Sequence, residues 1–159
     1  MFTSPMLTVK DLHTYFYSDG NCTKAVNGVS FNLAKGETLG IVGESGSGKS
    51  VTALSILKLI DEPPGKIEKG EIIFTKKDET TNLLEVPESD MHQFRGKHIA
   101  MIFQEPMTSL NPVMSCGDQV IEAILTHQNV SKGEAKKRVL ALFEEVLLCL
   151  LYTSDAADE

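Results

Sequence analysis

Gly43-Glu-Ser-Gly-Ser-Gly-Lys49-Ser50 meets the pattern GxxxxGK[ST] without a mismatch. Each fixed position has a chemical reason. Phosphate oxygens need several donors converging from one side. Backbone N–H groups in a tight loop supply them, and a following helix turns its positive dipole end to the same place. Gly43, Gly46 and Gly48 let the backbone curl and approach closely. Lys49 is placed to reach the β- and γ-phosphates, and the Ser50 hydroxyl to ligate Mg²⁺. The loop and its first helical residues (Gly43, Glu44, Ser45, Gly46, Ser47, Gly48, Lys49, Ser50 and Val51) are therefore the predicted triphosphate-binding set. The alternative is a flexible Gly/Ser surface loop. A random chain of this length meets the pattern only roughly 0.5% of the time, which makes that the weaker explanation.

The flanks support the loop. Residues 38–42 (TLGIV) form a short, mostly apolar run, expected as a strand buried on both faces of an α/β sheet. Residues 51–60 are dense in Val, Leu and Ile, which predicts a largely buried helix, ended by Asp61-Glu-Pro-Pro-Gly65.

Further out, Leu7, Val9 and Leu12 alternate with polar residues and predict a half-buried strand. Asp19-Gly20-Asn21 marks a turn, and residues 25–33 predict a second strand, bulged at Gly28. A short link between them predicts an antiparallel pair. Residues 71–74 read as a strand, 76–82 as a polar loop and 89–95 as a short helix. Residues 99–103 (IAMIF) read as another buried strand. Beyond Pro112 the spacing of Val120, Ile121, Ile124 and Leu125 is helical, and Ser131-Lys-Gly-Glu134 is a capping-box pattern opening another helix.

Bulk properties narrow the class. The chain has 159 residues, enough for one ordinary domain, and is 42% apolar, as soluble globular proteins are. A net charge of −7 argues against nucleic acid as a partner. Cys22, Cys116 and Cys149 lie far apart, form no zinc spacing and are expected as free thiols in a reducing compartment. No apolar run reaches the ~18 residues that span a bilayer, and the opening MFTSPMLTVKDLH does not read as a secretory signal. His13, His92, His98 and His127 show no metal-ligand spacing.

AVNGVSF (25–31), GETLGIVGESGSGKS (36–50), RGKHIAMIFQEPMTSLNP (95–112) and GDQVIEAILTH (117–127) together resemble the ATP-binding subunits of ABC importers of the peptide/nickel group. The match spans residues 7 to about 146, nearly the whole chain. The resemblance implies an α/β phosphate-loop core, an antiparallel β subdomain at the N-terminus, and the start of a helical subdomain after Gln104. It implies Mg·ATP as ligand. It implies a second ATPase subunit, in a homo- or heterodimer, and transmembrane permease subunits as partners, at the cytoplasmic face of the inner membrane.

Particular residues follow from the resemblance. Gln104 falls on the family's Q-loop glutamine, which contacts Mg²⁺ and the attacking water, while the next segment touches the membrane subunits. An amide suits that task because it binds metal and water without titrating. Lys49 and Gln104 are thus the expected catalytic pair, with Ser50 and Gln104 toward the metal. Read from spacing alone, Gln104 is an ordinary polar residue at a strand end. Phe16 falls where the family stacks an aromatic beneath adenine. Tyr15 and Tyr17 flank it, so the assignment can slip by one. Alternation from Leu12 also allows Phe16 to be a core aromatic. Glu44 and Glu105 are not assigned as general bases, since the family's base comes from a later motif.

LSGGQ, an apolar strand ending in Asp-Glu and a switch histidine do not occur in these 159 residues. The resemblance implies that residues 1–159 by themselves do not hydrolyse ATP at a useful rate, and that some apolar surface lacks its cover. A non-catalytic nucleotide-binding fragment and another phosphate-loop NTPase are the alternatives. The 95–112 block argues against the latter. Residues 149–159 (CLLYTSDAADE) depart from the family pattern. Their back-translation resembles a transposase-type sequencing adaptor read in frame. The expected organisation is a nucleotide-binding domain portion over 1–148 and a non-native tail over 149–159.

Overall fold

A computed structural model describes residues 5–77, 79–104 and 110–147. Glu105, Cys149 and the 149–159 tail lie outside the described residues, as does part of the 95–112 block. The chain divides into two compact units, with the boundary between Met91 and His92.

In the first unit, β1 (Leu7–Ser18) and β2 (Asn21–Leu33) run antiparallel from a two-residue turn. Asp19 and Gly20 both take positive φ, 49° and 78°, the twist that Asp-Gly supplies in a tight hairpin. β3 (Gly65–Lys76) pairs with the other edge of β1, and β4 (Glu79–Asn82) with β3, giving the order β2-β1-β3-β4. Val9 and Leu12 are three residues apart yet both buried. A register shift between them, with Asp11 at φ 46°, turns both to one face. Gly28, at φ 82°, is skipped in the pairing of β2, where the bulge is expected.

Leu12, Ile72, Leu83, Met91 and Val9 are the large, fully buried side chains of this unit. Each such aliphatic contributes about 1.5–3 kcal/mol relative to exposure. Helix α1 (Lys49–Ile56) packs on β1 and β2. A 3-10 turn covers Glu88–Gln93, near the expected short helix.

The second unit is built on α2 (Cys116–His127) and α3 (Lys132–Glu145). Ile121, Ala135, Val139 and Phe143 form its core, with Val120, Ile124 and Val130 against them. Ser131 caps α3, its hydroxyl accepting from the Glu134 amide at 3.2 Å. The Glu134 carboxylate bonds Arg138 one turn on, so only the serine half of the expected capping box appears among the described hydrogen bonds.

Several expectations are corrected. Residues 38–42 are not paired into the described sheet, and Leu39, Ile41 and Val42 are exposed, Val42 at 97%. Residues 99–103 make only an isolated bridge, Arg95 to Ile99, and Ile102 is 92% exposed. An apolar run becomes a buried strand only where neighbours hydrogen-bond both its edges, and no described strand does so here. The polar stretch 76–82 is not all loop: Glu79–Asn82 is a short edge strand, where polarity is tolerated because one edge and one face meet solvent. The helix expected over 51–60 starts at Lys49 and stops at Ile56, because Lys58 turns to φ 50° before the prolines are reached. It is also less buried than its composition suggests. Thr52 and Ser55 are its buried residues, while Val51, Ala53, Leu54 and Ile56 are half-buried.

Candidate functional site: the phosphate loop

Residues 43–48 lead directly into α1, whose first residue is Lys49. Gly46 and Gly48 take φ of 79° and 89°, conformations that a side chain resists. Gly48 is the N-cap and makes no side-chain cap, so it supplies no side-chain acceptor to the first-turn N–H groups of α1. No acidic residue sits in that turn to neutralise the dipole.

Lys49 organises the loop. Its Nζ donates to the carbonyl oxygens of Gly43 at 2.7 Å and Glu44 at 2.6 Å, and to Ser47 Oγ at 3.3 Å. The ammonium is thus held over the loop it closes. Thr52 anchors the base of the helix, its amide and hydroxyl both donating to the Gly48 carbonyl, at 2.8 and 2.9 Å. Ala25, Gly46, Ser47, Gly48, Lys49, Ser50 and Val51 line a concavity of about 130 Å³. It combines the amides of a helix start, one cation and the hydroxyls of Ser47 and Ser50, a set suited to an anion accompanied by a hard metal ion.

The predicted residues fall as follows. Gly43, Glu44, Ser45, Gly46, Ser47 and Ser50 are exposed, Lys49 and Val51 half-buried and Gly48 buried. All lie on one loop and helix start. Phe16 is half-buried on β1, and its ring edge lies beside Gly65. Its neighbours turn elsewhere: Tyr15 Oη bonds Asn27, and Tyr17 Oη donates to Glu68 at 2.8 Å. Gln104 is exposed and belongs to the second unit.

Three contributors escape a reading of the sequence. Ala25 lines the concavity, and Thr14 and Ser55 form a buried contact between β1 and α1. Nothing in local composition marks them, since each depends on pairing across the fold.

Among the described residues, no group of three or more His, Cys, Asp or Glu could hold a metal ion. His13 bonds Asp11, Tyr15 and Asn27 on the sheet. Cys22 and Cys116 are free and exposed. No helix of the described residues is long and apolar enough to cross a membrane.

Loop, helix and concavity have the form of a phosphate-binding loop. The ABC transporter family model matches residues 26–154, and the chain belongs to that family. It is 52% identical over 141 residues to the oligopeptide transport ATP-binding protein OppD of Bacillus subtilis (strain 168), covering 89% of this chain and 38% of that protein. It is 47% identical over 141 residues to the dipeptide transport ATP-binding protein DppD of the same organism, covering 89% and 41%. The chain thus spans about two-fifths of the length of these relatives. Its fold is that of the ATP-binding cassette MJ0796, solved as a dimer in a post-hydrolysis state with ADP and Pi. The TM-score is 0.71 at 23% identity, over 87% of this chain and 56% of that one.

Proposed function

We propose that this chain is the N-terminal part, over residues 1–148, of the nucleotide-binding subunit of an ABC importer of peptides. Residues 43–51 hold the triphosphate of ATP with the Ser50 hydroxyl toward Mg²⁺, Phe16 stacks on the base, and Gln104 keeps the Q-loop role that the resemblance implies. The observation that carries the reading is the Lys49 ammonium held over a loop whose following helix presents uncapped first-turn amides. Peptides are preferred to nickel because the relatives are named for oligopeptide and dipeptide transport.

The chemistry this requires is modest. Phosphoryl transfer is accelerated mainly by positioning and by neutralising charge. The loop amides and Lys49 would bind and orient the β- and γ-phosphates. Ser50, an exposed hydroxyl at the first turn of α1, suits a hard cation. Magnesium, when bound, would supply charge neutralisation for the phosphates. The whole subunit would pair with a second ATPase subunit and act on transmembrane permease subunits at the cytoplasmic face of the membrane. Hydrolysis is assigned to that whole subunit and not to residues 1–159 alone.

Titration of the protein with Mg·ATP and with Mg·GTP tests this. Lys49→Ala is expected to lower ATP affinity at least about tenfold, ~1.4 kcal/mol. ATP and GTP are expected to bind comparably, since stacking tolerates any base. Equal ATP affinity in Lys49→Ala and the parent overturns the phosphate-cradle assignment. A strong preference for GTP overturns the importer reading.

A further inference from the structure

We propose that the hydroxyl pair Thr14–Ser55 fixes the span between the base end and the phosphate end of the nucleotide site, which makes Thr14 a positioning residue for ATP. The inference rests on the reading above, in which Phe16 meets the base and residues 43–51 the phosphates.

Thr14 on β1 and Ser55 on α1 are both completely buried, and their Oγ atoms are 2.8 Å apart. The direction of the bond follows from proton count. Ser55 Oγ donates its single proton to the Val51 carbonyl at 2.7 Å. Thr14 is therefore the donor and Ser55 the acceptor. The chain of bonds runs from strand to helix backbone in one sense. A hydrogen bond is directional where an apolar contact is not, so this pair sets the helix in both height and rotation against the strand.

Its location is what gives it a role. Thr14 precedes Phe16 by two residues on the same strand face, roughly 7 Å away along the strand. Leu12 and Thr14 point inward there, while His13 and Tyr15 bond one another on the opposite face. Ser55 follows Lys49 by six residues, about 9 Å along the helix axis. The pair thus ties the strand that carries the aromatic to the helix that follows the loop. A second fixed point stands at the loop end, where Gly48 packs against the backbone of Ala25 on β2. With two anchors, α1 neither slides nor turns on the sheet. A ligand gripped at both ends gains affinity when the grips already stand at the right separation.

Thr14→Val tests the proposal. It keeps the shape, removes the donor and leaves Ser55 bonded to Val51, so no buried hydroxyl is orphaned. Binding of Mg·ATP and of Mg·tripolyphosphate is measured in the full chain. The expected result is an ATP affinity lower on the order of fivefold, within the range of couplings between contacting residues. Tripolyphosphate affinity stays unchanged, Thr14→Ser restores ATP binding, and Thr14→Val adds nothing in a Phe16→Ala background. If Thr14→Val does not fold, Thr14→Cys retains a weak donor and is expected to show the same split at smaller size. Equal loss for both ligands, loss for neither, or full additivity with Phe16→Ala overturns the proposal. Unchanged ATP affinity in Phe16→Ala alone overturns the stacking assignment first, and the positioning role with it.

Discussion

A Cβ atom on Gly48 would overlap the carbonyl oxygen of Ala25, so the phosphate loop and β2 meet through bare backbone. Gly48 also sits at φ 89°. Gly48→Ala is therefore expected to cost at least about 1–2 kcal/mol from the left-handed conformation, with the clash added. Urea unfolding of the two proteins measures it. An unchanged midpoint would show that β2 yields freely at Ala25.

The three aromatics at the end of β1 are expected to separate cleanly. Phe16→Ala lowers ATP affinity about tenfold, ~1.4 kcal/mol, within the range of one base-aromatic stack. Tyr17→Ala leaves it unchanged, because that phenol is tied to Glu68 and 46% exposed. Calorimetric titration with ATP decides. A loss in Tyr17→Ala with none in Phe16→Ala would move the stacking role by one residue.

The same tyrosine predicts an alkaline effect. The Tyr17 phenol is pushed up to about 12, first by its hydrogen bond to the Glu68 carboxylate, then by burial and by that carboxylate's charge. A raised value in the fold means stability that is complete below the ordinary value of 10 and lost as pH rises from there through about 12. Glu68 is held below its ordinary 4.5 by the Tyr17 bond and then by Lys66, so its contribution is present above that value and lost on acidification. In Glu68→Gln, absorbance titration of tyrosinate is expected to show one phenol returning toward 10. An unaltered titration curve counts against the bond.

At the other unit, Ser131→Ala removes the N-cap of α3 and is expected to cost about 1 kcal/mol. Ser131→Asp, which caps equally well, is expected to restore it. Thermal unfolding followed by circular dichroism reads both. Identical curves for Ser131→Ala and the parent would mean that solvent satisfies the Glu134 amide as well as the serine does.

Legibility in the sequence followed the range of the interaction concerned. The turn from residues 43–48 into α1 was readable because the glycines and the helix start stand at fixed consecutive positions. The Asp19-Gly20 hairpin and the Ser131 cap were readable for the same local reason. Residues 38–42 and 99–103 misled because an apolar run states a preference for burial and not the partner that provides it. Glu79–Asn82 was missed because strand pairing came from the adjacent β3 and not from its own hydrophobicity. Helix α1 ended early at Ile56, two residues before Lys58 turns to φ 50° and its Nζ donates to the carbonyl of Val86 at 2.8 Å, a contact across 28 residues that no local window contains. Thr14, Ser55 and Ala25 were invisible on the same ground. The part of the candidate site that holds a charge was spelled out in order, while the part that sets its geometry was distributed across strands.

The two borders of the sheet have a bearing on colloidal behaviour. β2 is long and outermost, the kind of strand that recruits copies of itself into ordered aggregates. Its pairing with β1 skips Ser30, Gly28 and Ala25, so its free amides and carbonyls do not form one straight row. The opposite border, β4, is four polar residues long. Neither border of the described sheet offers an even template, and the irregularity that brings Val9 and Leu12 to one face also breaks, at Ser30, the row that an added strand would need.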